Sequence, residues 1–165
     1  MSEQTLPINL TVNGERVARN VSVRQHLVDF LRTELGLTGT HLGCEHGSCG
    51  ACSIRVDGVL VRGCLMLAVQ TDGGEVVTIE GLDATGEIAD LQAAFVEHNA
   101  LQCGFCTPGM LMAAAELVRA GERRTRAEIR THLAGNFCRC TGYHAIVDAV
   151  AATLERRATG GSERV

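Results

Sequence analysis

Residues 43–52 read GCEHGSCGAC, and three cysteines within so short a stretch must turn toward one common point. A fourth cysteine, Cys64, comes from a later segment, so the spacing is C-x4-C-x2-C-x11-C. The glycines Gly43, Gly47 and Gly50 can adopt the positive φ angles that such a tight wrap demands. This stretch therefore predicts an irregular ligand loop and separates the regular elements on either side of it.

The first cysteine set is Cys44, Cys49, Cys52 and Cys64, and its spacing is that of plant-type ferredoxins, in which four thiolates hold one [2Fe–2S] cluster. A structural zinc ion also takes four thiolates and remains an alternative. His46 lies inside the loop, and histidine ligates iron in Rieske centres, but four cysteines already complete the set. We therefore predict a solvent-facing position for His46.

A second set of four cysteines has the different spacing C-x2-C-x31-C-x-C: Cys103, Cys106, Cys138 and Cys140. Each pair directly precedes a predicted helix, where the helix dipole and free amide groups favour thiolates. A C-x2-C pair alone would also fit a thioredoxin-type dithiol, but that motif needs a βαβ context. Two complete sets predict two redox centres in series, and hence electron transfer.

Composition limits the class of protein. The chain has 165 residues, of which 45% are hydrophobic and only 3% aromatic. Its hydrophobic cores would therefore be small and aliphatic, and bound metal centres would be needed to stabilise them. A net charge of −4 argues against a nucleic-acid partner. No apolar run reaches the roughly 18 residues that suggest a membrane span, and residues 1–10 do not resemble a signal peptide. We therefore expect a cytoplasmic protein, in which cysteines bind metal more often than they form a disulfide framework.

The residue pattern of the first half, residues 1–80, predicts strands joined by tight turns. Asn13-Gly14 and Asp57-Gly58 are strong hairpin signals. Ser22 is a candidate cap for a helix from Val23 to Leu35. Strands are predicted at 8–12, 16–21, 51–56, 59–61 and 76–79. The fold prediction is α+β, with an N-terminal β-grasp domain of the plant-type ferredoxin kind.

The second half has a helical pattern. Residues 81–86 (GLDATG) read as a linker. Thr107, before a proline, is a candidate cap, and Thr125 with Glu128 is a candidate capping box. Helices are predicted at 87–99, 108–120, 125–133 and 143–156, which suggests a small four-helix bundle domain over 81–165. The tail from Ala158 onward is expected to fray.

Three motifs closely resemble the small iron–sulfur subunit of the molybdenum hydroxylases. This superfamily includes xanthine oxidase, aldehyde oxidoreductases and carbon monoxide dehydrogenases. The motifs are residues 43–52 with Cys64, residues 102–109 (QCGFCTPG) and residues 135–143 (GNFCRCTGY). The resemblance covers about residues 6–155, and the second and third motifs are far more specific than the ferredoxin spacing.

The resemblance implies a β-grasp domain and a four-helix domain, each with one [2Fe–2S] cluster. The cluster of the helical domain would lie near the molybdopterin of a separate large subunit, with Gln102 and Cys140 against the pterin. The ferredoxin-type cluster would lie nearer an FAD on a medium subunit. The chain would then be a non-substrate-binding, electron-transfer subunit of a hetero-oligomer such as a dimer of heterotrimers. His144 stands where relatives commonly have glutamine, which leaves the cluster assignment intact.

Two other hypotheses of function remain open from the sequence alone. A free two-cluster ferredoxin would diffuse between enzymes, and a zinc-binding interaction module would carry no redox centre. The chain contains no GxGxxG pattern and no residues recognisable as substrate-activating. Metal analysis with an absorption spectrum would separate zinc from iron, and co-purification would separate a free carrier from a subunit.

Overall fold

A five-stranded sheet forms the first half of the chain in this computed structural model, which describes residues 4–160. The strand order is β2-β1-β5-β3-β4. Strands β1 and β5 pair in parallel, and the other neighbours are antiparallel. The strands are β1 (Thr5–Val12), β2 (Glu15–Ser22), β3 (Ser53–Val56), β4 (Val59–Arg62) and β5 (Glu75–Val77).

Both predicted hairpin turns are present. Asn13 and Gly14 have φ angles of 51° and 84°, and Asp57 and Gly58 have φ angles of 47° and 80°. Two successive residues with positive φ match the type I′ turn, whose twist suits the flanking strands. The sequence therefore predicted the β1–β2 and β3–β4 pairings correctly from their turns.

The helix of this half begins later than predicted. Ser22 belongs to β2, and its hydroxyl accepts a hydrogen bond from the Arg24 amide (3.2 Å) in a local turn. The amide of Leu27 donates to Met66 O (2.8 Å), which draws the chain toward the segment after β4 before the helix starts. The expected start at Val23 is therefore wrong. The helical segment is α1 (Leu27–Asp29) followed by a π-helical turn (Phe30–Glu34), and two 3₁₀ turns follow β4 at Gly63–Leu65 and Ala68–Thr71.

The core of the first half lies between the sheet and this helical segment. Leu27, at the start of the helical segment, and Phe30, in its middle, are both fully buried. Because strand side chains alternate between two faces, Ile8, Leu10 and Val12 of β1 all point to this core. The predicted ferredoxin-like part of the α+β fold is therefore seen as a mixed sheet with helix packed on one face.

The second half is helical, but it starts earlier than predicted. Residues 81–86 are not a linker, because a short helix covers most of them and Leu82 is buried in the second core. Gly81 made a helix unexpected here, because glycine is a poor helix former. Glycine is needed at this position because a Cβ would lie 2.3 Å from Asn13 Oδ1. The helices are α2 (Ile79–Ala84), α3 (Ala89–Glu97), α4 (Thr107–Ala120), α5 (Arg126–Leu133) and α6 (His144–Gly160).

The helix caps were predicted with mixed success. Thr125 and Glu128 form the expected capping box at the start of α5. Thr107 does not cap α4, because the N-cap is Cys106 and Thr107 is already helical. Among residues 4–160, the buried Thr107 hydroxyl has no hydrogen-bond partner. The prediction placed the helix start one residue too late.

Helix α6 also continues beyond the predicted end. Arg157 donates to Asp90 Oδ1 (2.6 Å), and Arg156 pairs with Glu97 (2.5 Å), so two successive residues near the end of α6 are tied to α3. Residues 158–160 are therefore helical and not a frayed tail. Residues 161–165 lie outside the described part of the chain.

Helix α4 lies against β3, and a buried ion pair crosses this contact. Arg55 of β3 is 7% exposed, and its guanidinium bonds Glu116 of α4 (3.0 Å) and Glu87 (3.1 Å). Burial opposes the charged form, but the two carboxylates outweigh it and raise the pKa of Arg55. The two halves are therefore joined by a paired buried charge. No helix within residues 4–160 is long and apolar enough to cross a membrane.

Candidate iron–sulfur centres

The first predicted site lies in the irregular loop before β3 and is closed by the turn after β4. Cys52 and Cys64 are buried, with 1% and 2% exposure, whereas Cys44 and Cys49 are half-buried. The amide of Gly63 donates to Cys52 O (3.0 Å), which holds the last cysteine beside the loop. The β3–β4 hairpin thus returns the distant fourth cysteine to the other three.

The backbone of this loop has the conformations that a tight wrap requires. Gly47 and Gly50 have φ angles of 83° and 75°, as predicted, and Glu45 also has a positive φ of 59°. Gly43 was expected to share this property and does not. The Cys49 amide donates to Cys44 Sγ at 3.4 Å, so the loop already directs an N–H group at sulfur.

The protonation of the first-site thiols differs with their surroundings. Amide hydrogen bonds, first from His46 and then from Cys49, lower the pKa of Cys44 to about 6. Burial raises the pKa of Cys52 to about 11. Because metal binding requires thiolates, the lowered pKa of Cys44 favours ligation, whereas Cys52 must lose a proton when it binds a metal. His46 is exposed, as predicted, and its ring bonds the Cys44 carbonyl.

The second predicted site lies where α4 and α6 begin. Cys103 Sγ is 3.6 Å from Cys140 Sγ, so two pairs that are distant in sequence meet in space. Cys103 and Cys140 are exposed, while Cys106 and Cys138 are half-buried. Both pairs precede helix N-termini as predicted, where the partial positive charge favours thiolates.

Polar neighbours act unequally on the two half-buried thiols. The Thr141 hydroxyl donates to Cys138 Sγ (3.1 Å), and the Tyr143 hydroxyl accepts from the Cys138 amide (3.0 Å). Burial works against ionisation of Cys138, but the Thr141 hydroxyl and nearby amides lower its pKa. Cys106 has no comparable support, and burial raises its pKa to about 12.

The donor chemistry at both sites suits iron–sulfur clusters. Each site offers four cysteines, and thiolate sets of this size hold [2Fe–2S] clusters. Within residues 4–160, no three His, Cys, Asp or Glu side chains are grouped tightly enough to bind a single metal ion. A two-iron cluster divides its four thiolates between two iron atoms, so it does not require them all to meet at one ion.

The two sites are in direct backbone contact. The Phe137 amide, next to Cys138, donates to the carbonyl of Cys49 (2.8 Å). A Cβ on Gly109 of α4 would lie 2.3 Å from Gly50 O, so α4 begins directly against the first loop. Only glycine permits this approach, because an ordinary contact to a Cβ is longer than about 3.4 Å.

Side chains reinforce this contact, and sequence reasoning missed them. The His41 ring stacks on Phe105 with centroids 4.8 Å apart, and its Nδ1 bonds Phe105 O (2.7 Å). Asn136 is buried, and its Nδ2 donates to Gly50 O in the first cysteine loop and to Gly109 O at the start of α4. The signal was available, since Asn136 lies inside the GNFCRC motif, but a polar residue there suggested no partner 86 positions away.

The surface around the second site is partly apolar. Phe105 and Phe137 are 48% and 56% exposed, and Tyr143 is 37% exposed. Gln102, the predicted pterin contact, is exposed directly before Cys103. Exposed aromatic side chains gathered beside polar groups are typical of an interaction surface.

Two protein-family models match the chain and together cover most of it. Residues 10–76 match the 2Fe-2S iron-sulfur cluster binding domain, and residues 78–151 match the [2Fe-2S] binding domain. The chain therefore contains two [2Fe–2S]-binding domains of different type, as the two cysteine spacings indicated.

Relatives of known function are similar over nearly the whole chain. The caffeine dehydrogenase subunit gamma of a Pseudomonas species is 52% identical over 146 residues, 87% of each chain. The nicotine 6-hydroxylase small subunit of Paenarthrobacter nicotinovorans is 52% identical over 143 residues, covering 87% of this chain and 86% of that one.

Solved structures agree with this similarity. A chain of quinoline 2-oxidoreductase from Pseudomonas putida superposes with a TM-score of 0.86 at 46% identity, covering 95% of this chain and 98% of that one. The aldehyde oxidoreductase of Desulfovibrio gigas gives a TM-score of 0.84 at 38% identity, but this chain spans only 18% of its length. The chain thus belongs to the small [2Fe–2S] iron–sulfur subunits of the molybdenum hydroxylases, in which it is an electron-transfer subunit.

Proposed function

We propose that this chain relays electrons from the molybdopterin of a large subunit, through its second site and then its first, to an FAD on a medium subunit. The observation that carries the proposal is the direct contact of two four-cysteine sites, made by the hydrogen bond from Phe137 N to Cys49 O. We assign the cluster ligands as Cys44, Cys49, Cys52 and Cys64 for the first site, and Cys103, Cys106, Cys138 and Cys140 for the second.

Each bound [2Fe–2S] cluster would supply a one-electron redox centre. The protein's part is to hold four thiolates, to direct N–H and O–H groups at sulfur, and to limit solvent access. The Cys49 amide and the Thr141 hydroxyl already point at cysteine sulfur, at 3.4 Å and 3.1 Å. Such hydrogen bonds stabilise negative charge and tune a reduction potential.

The direction of the proposed relay is supported by exposure. The second site presents two exposed cysteines, with Gln102 and the aromatic side chains Phe105 and Phe137 beside them. We therefore assign this face to the large subunit, with Gln102 and Cys140 nearest the pterin. Beside the first site, Leu65 directly follows Cys64 and is 61% exposed, and we assign this face to the medium subunit.

The finer points of organisation are also proposals. We divide the chain into a β-grasp domain and a helical domain, and we move the boundary from the predicted position between residues 80 and 81 to the start of α2 at Ile79. Helices α3 to α6 form a four-helix bundle in this proposal. A cytoplasmic hetero-oligomer, such as a dimer of heterotrimers, fits a chain that has exposed apolar side chains beside both sites, among others. Substrate oxidation belongs to the large subunit in this proposal.

The test is to purify the chain with its co-expressed partners and to measure metal, sulfide and cluster reduction. We expect about four iron atoms and about four acid-labile sulfides per chain, two of each per site. Substrate should reduce both clusters when the large subunit is present, and the chain alone should show no reduction. Stoichiometric zinc without sulfide would establish the zinc module, and two clusters in a chain that never binds partners would establish the free carrier.

A further inference from the structure

Asn136 is a buried polar residue whose amide group both donates and accepts hydrogen bonds inside the protein. Its side chain belongs to a residue only 3% exposed. The Nδ2 atom donates to Gly109 O (2.9 Å) and Gly50 O (3.1 Å), with Ser53 Oγ nearby at 3.3 Å. The Oδ1 atom accepts from Arg62 Nη2 (3.2 Å). The amide orientation is therefore fixed by two donors and one acceptor.

These contacts bring three cysteine-bearing segments to one side chain. Gly50 directly follows Cys49, and Gly109 lies three residues after Cys106. Asn136 itself lies two residues before the first cysteine of the C-x-C pair. The Asn136 amide thus connects the loop of the first site with the two chain segments that carry the cysteine pairs of the second site.

The bonded groups are backbone carbonyls, which cannot move by a change of rotamer. Phe137, the next residue, donates its amide to Cys49 O (2.8 Å), so two successive residues hold the same loop. A Cβ on Gly50 would lie 2.6 Å from Asn136 Nδ2, so the Asn136 side chain is packed directly against the Gly50 backbone. A buried polar group that bonds several segments in this way favours one arrangement over nearby alternatives.

We propose that Asn136 is a positioning residue that fixes the separation of the two cluster sites and thereby the rate of electron transfer between them. The inference rests on the proposed function. In the step concerned, one electron leaves the reduced cluster and enters the oxidised one, with no bond made or broken. The rate of electron tunnelling falls steeply with distance. A residue that fixes the separation of the two cysteine sites therefore acts directly on the transfer rate.

The test compares Asn136→Ala with a matched control in the purified complex. Glu116→Gln is the control, since it removes the charge from another polar contact between α4 and β3, the ion pair with Arg55, without touching a cysteine loop. The first readout is the splitting of the paramagnetic resonance signals when both clusters are reduced, because dipolar coupling depends on their separation. The second is the rate at which an electron equilibrates between the clusters.

We expect Asn136→Ala to keep both cluster signals, to lose part of the splitting and to transfer the electron severalfold more slowly, whereas Glu116→Gln behaves as wild type. Unchanged splitting and rate in Asn136→Ala would overturn the positioning role, as would an equal change in Glu116→Gln. If Asn136→Ala fails to assemble, Arg62→Met decides. It removes the hydrogen bonds of Arg62 to Asn136 Oδ1, Gly135 O and Ser53 Oγ but leaves the bonds that Asn136 donates, so it should give a smaller change in splitting. No change in splitting would overturn the inference.

The wild-type complex separates the two proposals. Absence of two distinct [2Fe–2S] signals would refute the proposed function. Two wild-type signals whose splitting is indifferent to Asn136 and Arg62 would refute the positioning role alone.

Discussion

Replacement of Gly109 by alanine tests the contact between the start of α4 and the first cysteine loop. Alanine should stabilise the helix itself by about 0.5–1 kcal/mol relative to glycine. The added Cβ, however, would lie 2.3 Å from Gly50 O and 3.1 Å from Ala51 Cα, and both are backbone atoms. Overpacking costs about 1–3 kcal/mol, and a backbone obstacle places this site at the upper end.

The net loss of stability should therefore be about 2 kcal/mol, or a melting temperature lower by about 4–8 °C for a chain of this size. Because the displaced atoms belong to the first cysteine loop and to the helix after Cys106, both clusters should become labile. The assay follows the visible absorbance of the clusters and the iron content of the complex during heating.

Gly121→Ala is the matched control for this prediction. Gly121 lies at the other end of α4 with a φ of 69°, and a Cβ there would meet nothing within 4 Å. Its cost is the left-handed conformation alone, about 1–2 kcal/mol. It should lower the melting temperature by a similar amount while the clusters remain until the chain unfolds. Full iron content and wild-type heat stability in Gly109→Ala would refute the close approach of the two segments.

Three further predictions concern single side chains at the sites. Gln102→Ala should leave both clusters intact but weaken molybdenum retention or transfer to the clusters by about 1–3 kcal/mol, the cost of an unsatisfied buried partner; unchanged molybdenum content and transfer would contradict the pterin contact. Cys49→Ser should damage the first cluster and slow delivery to the flavin while substrate still reduces molybdenum; loss of that reduction in an assembled complex would contradict the electron order. Thr141→Val removes the hydrogen bond to Cys138 Sγ and should lower the potential of the second cluster by about 20–60 mV, measured by a redox titration of both signals; an equal shift at the first cluster would contradict a local effect.

The parts of the fold that follow from neighbouring residues were predictable. The Asn13-Gly14 turn and the capping box at Thr125 depend on chemistry within four residues, and both are present. The start of α1 was not predictable in this way, because the competing bond from Leu27 reaches Met66. Helix α2 escaped notice because its stability comes from burial of Leu82 against later helices, whereas its composition resembles a turn.

The candidate sites show the same limit. The cysteine spacings and the three motifs identified the family, which the comparisons confirm. Neither spacing nor composition indicates that the two sites touch, because the bonds of Asn136 and the fit of Gly109 against Gly50 join segments that are distant in sequence. The ion pair between Arg55 and Glu116 was missed for the same reason.

The bond between Phe137 and Cys49 has a consequence for how the protein is made. Chains leave the ribosome from the N-terminus, and an N-terminal domain can begin to fold before the remainder is synthesised. Here the loop around Cys49 acquires two of its partners, the Phe137 amide and the Asn136 side chain, only after residues far along the chain have emerged. A nascent chain that stops before these residues would have the strands of its first half but an incompletely held first loop, so completion of that loop must await synthesis of Asn136 and Phe137.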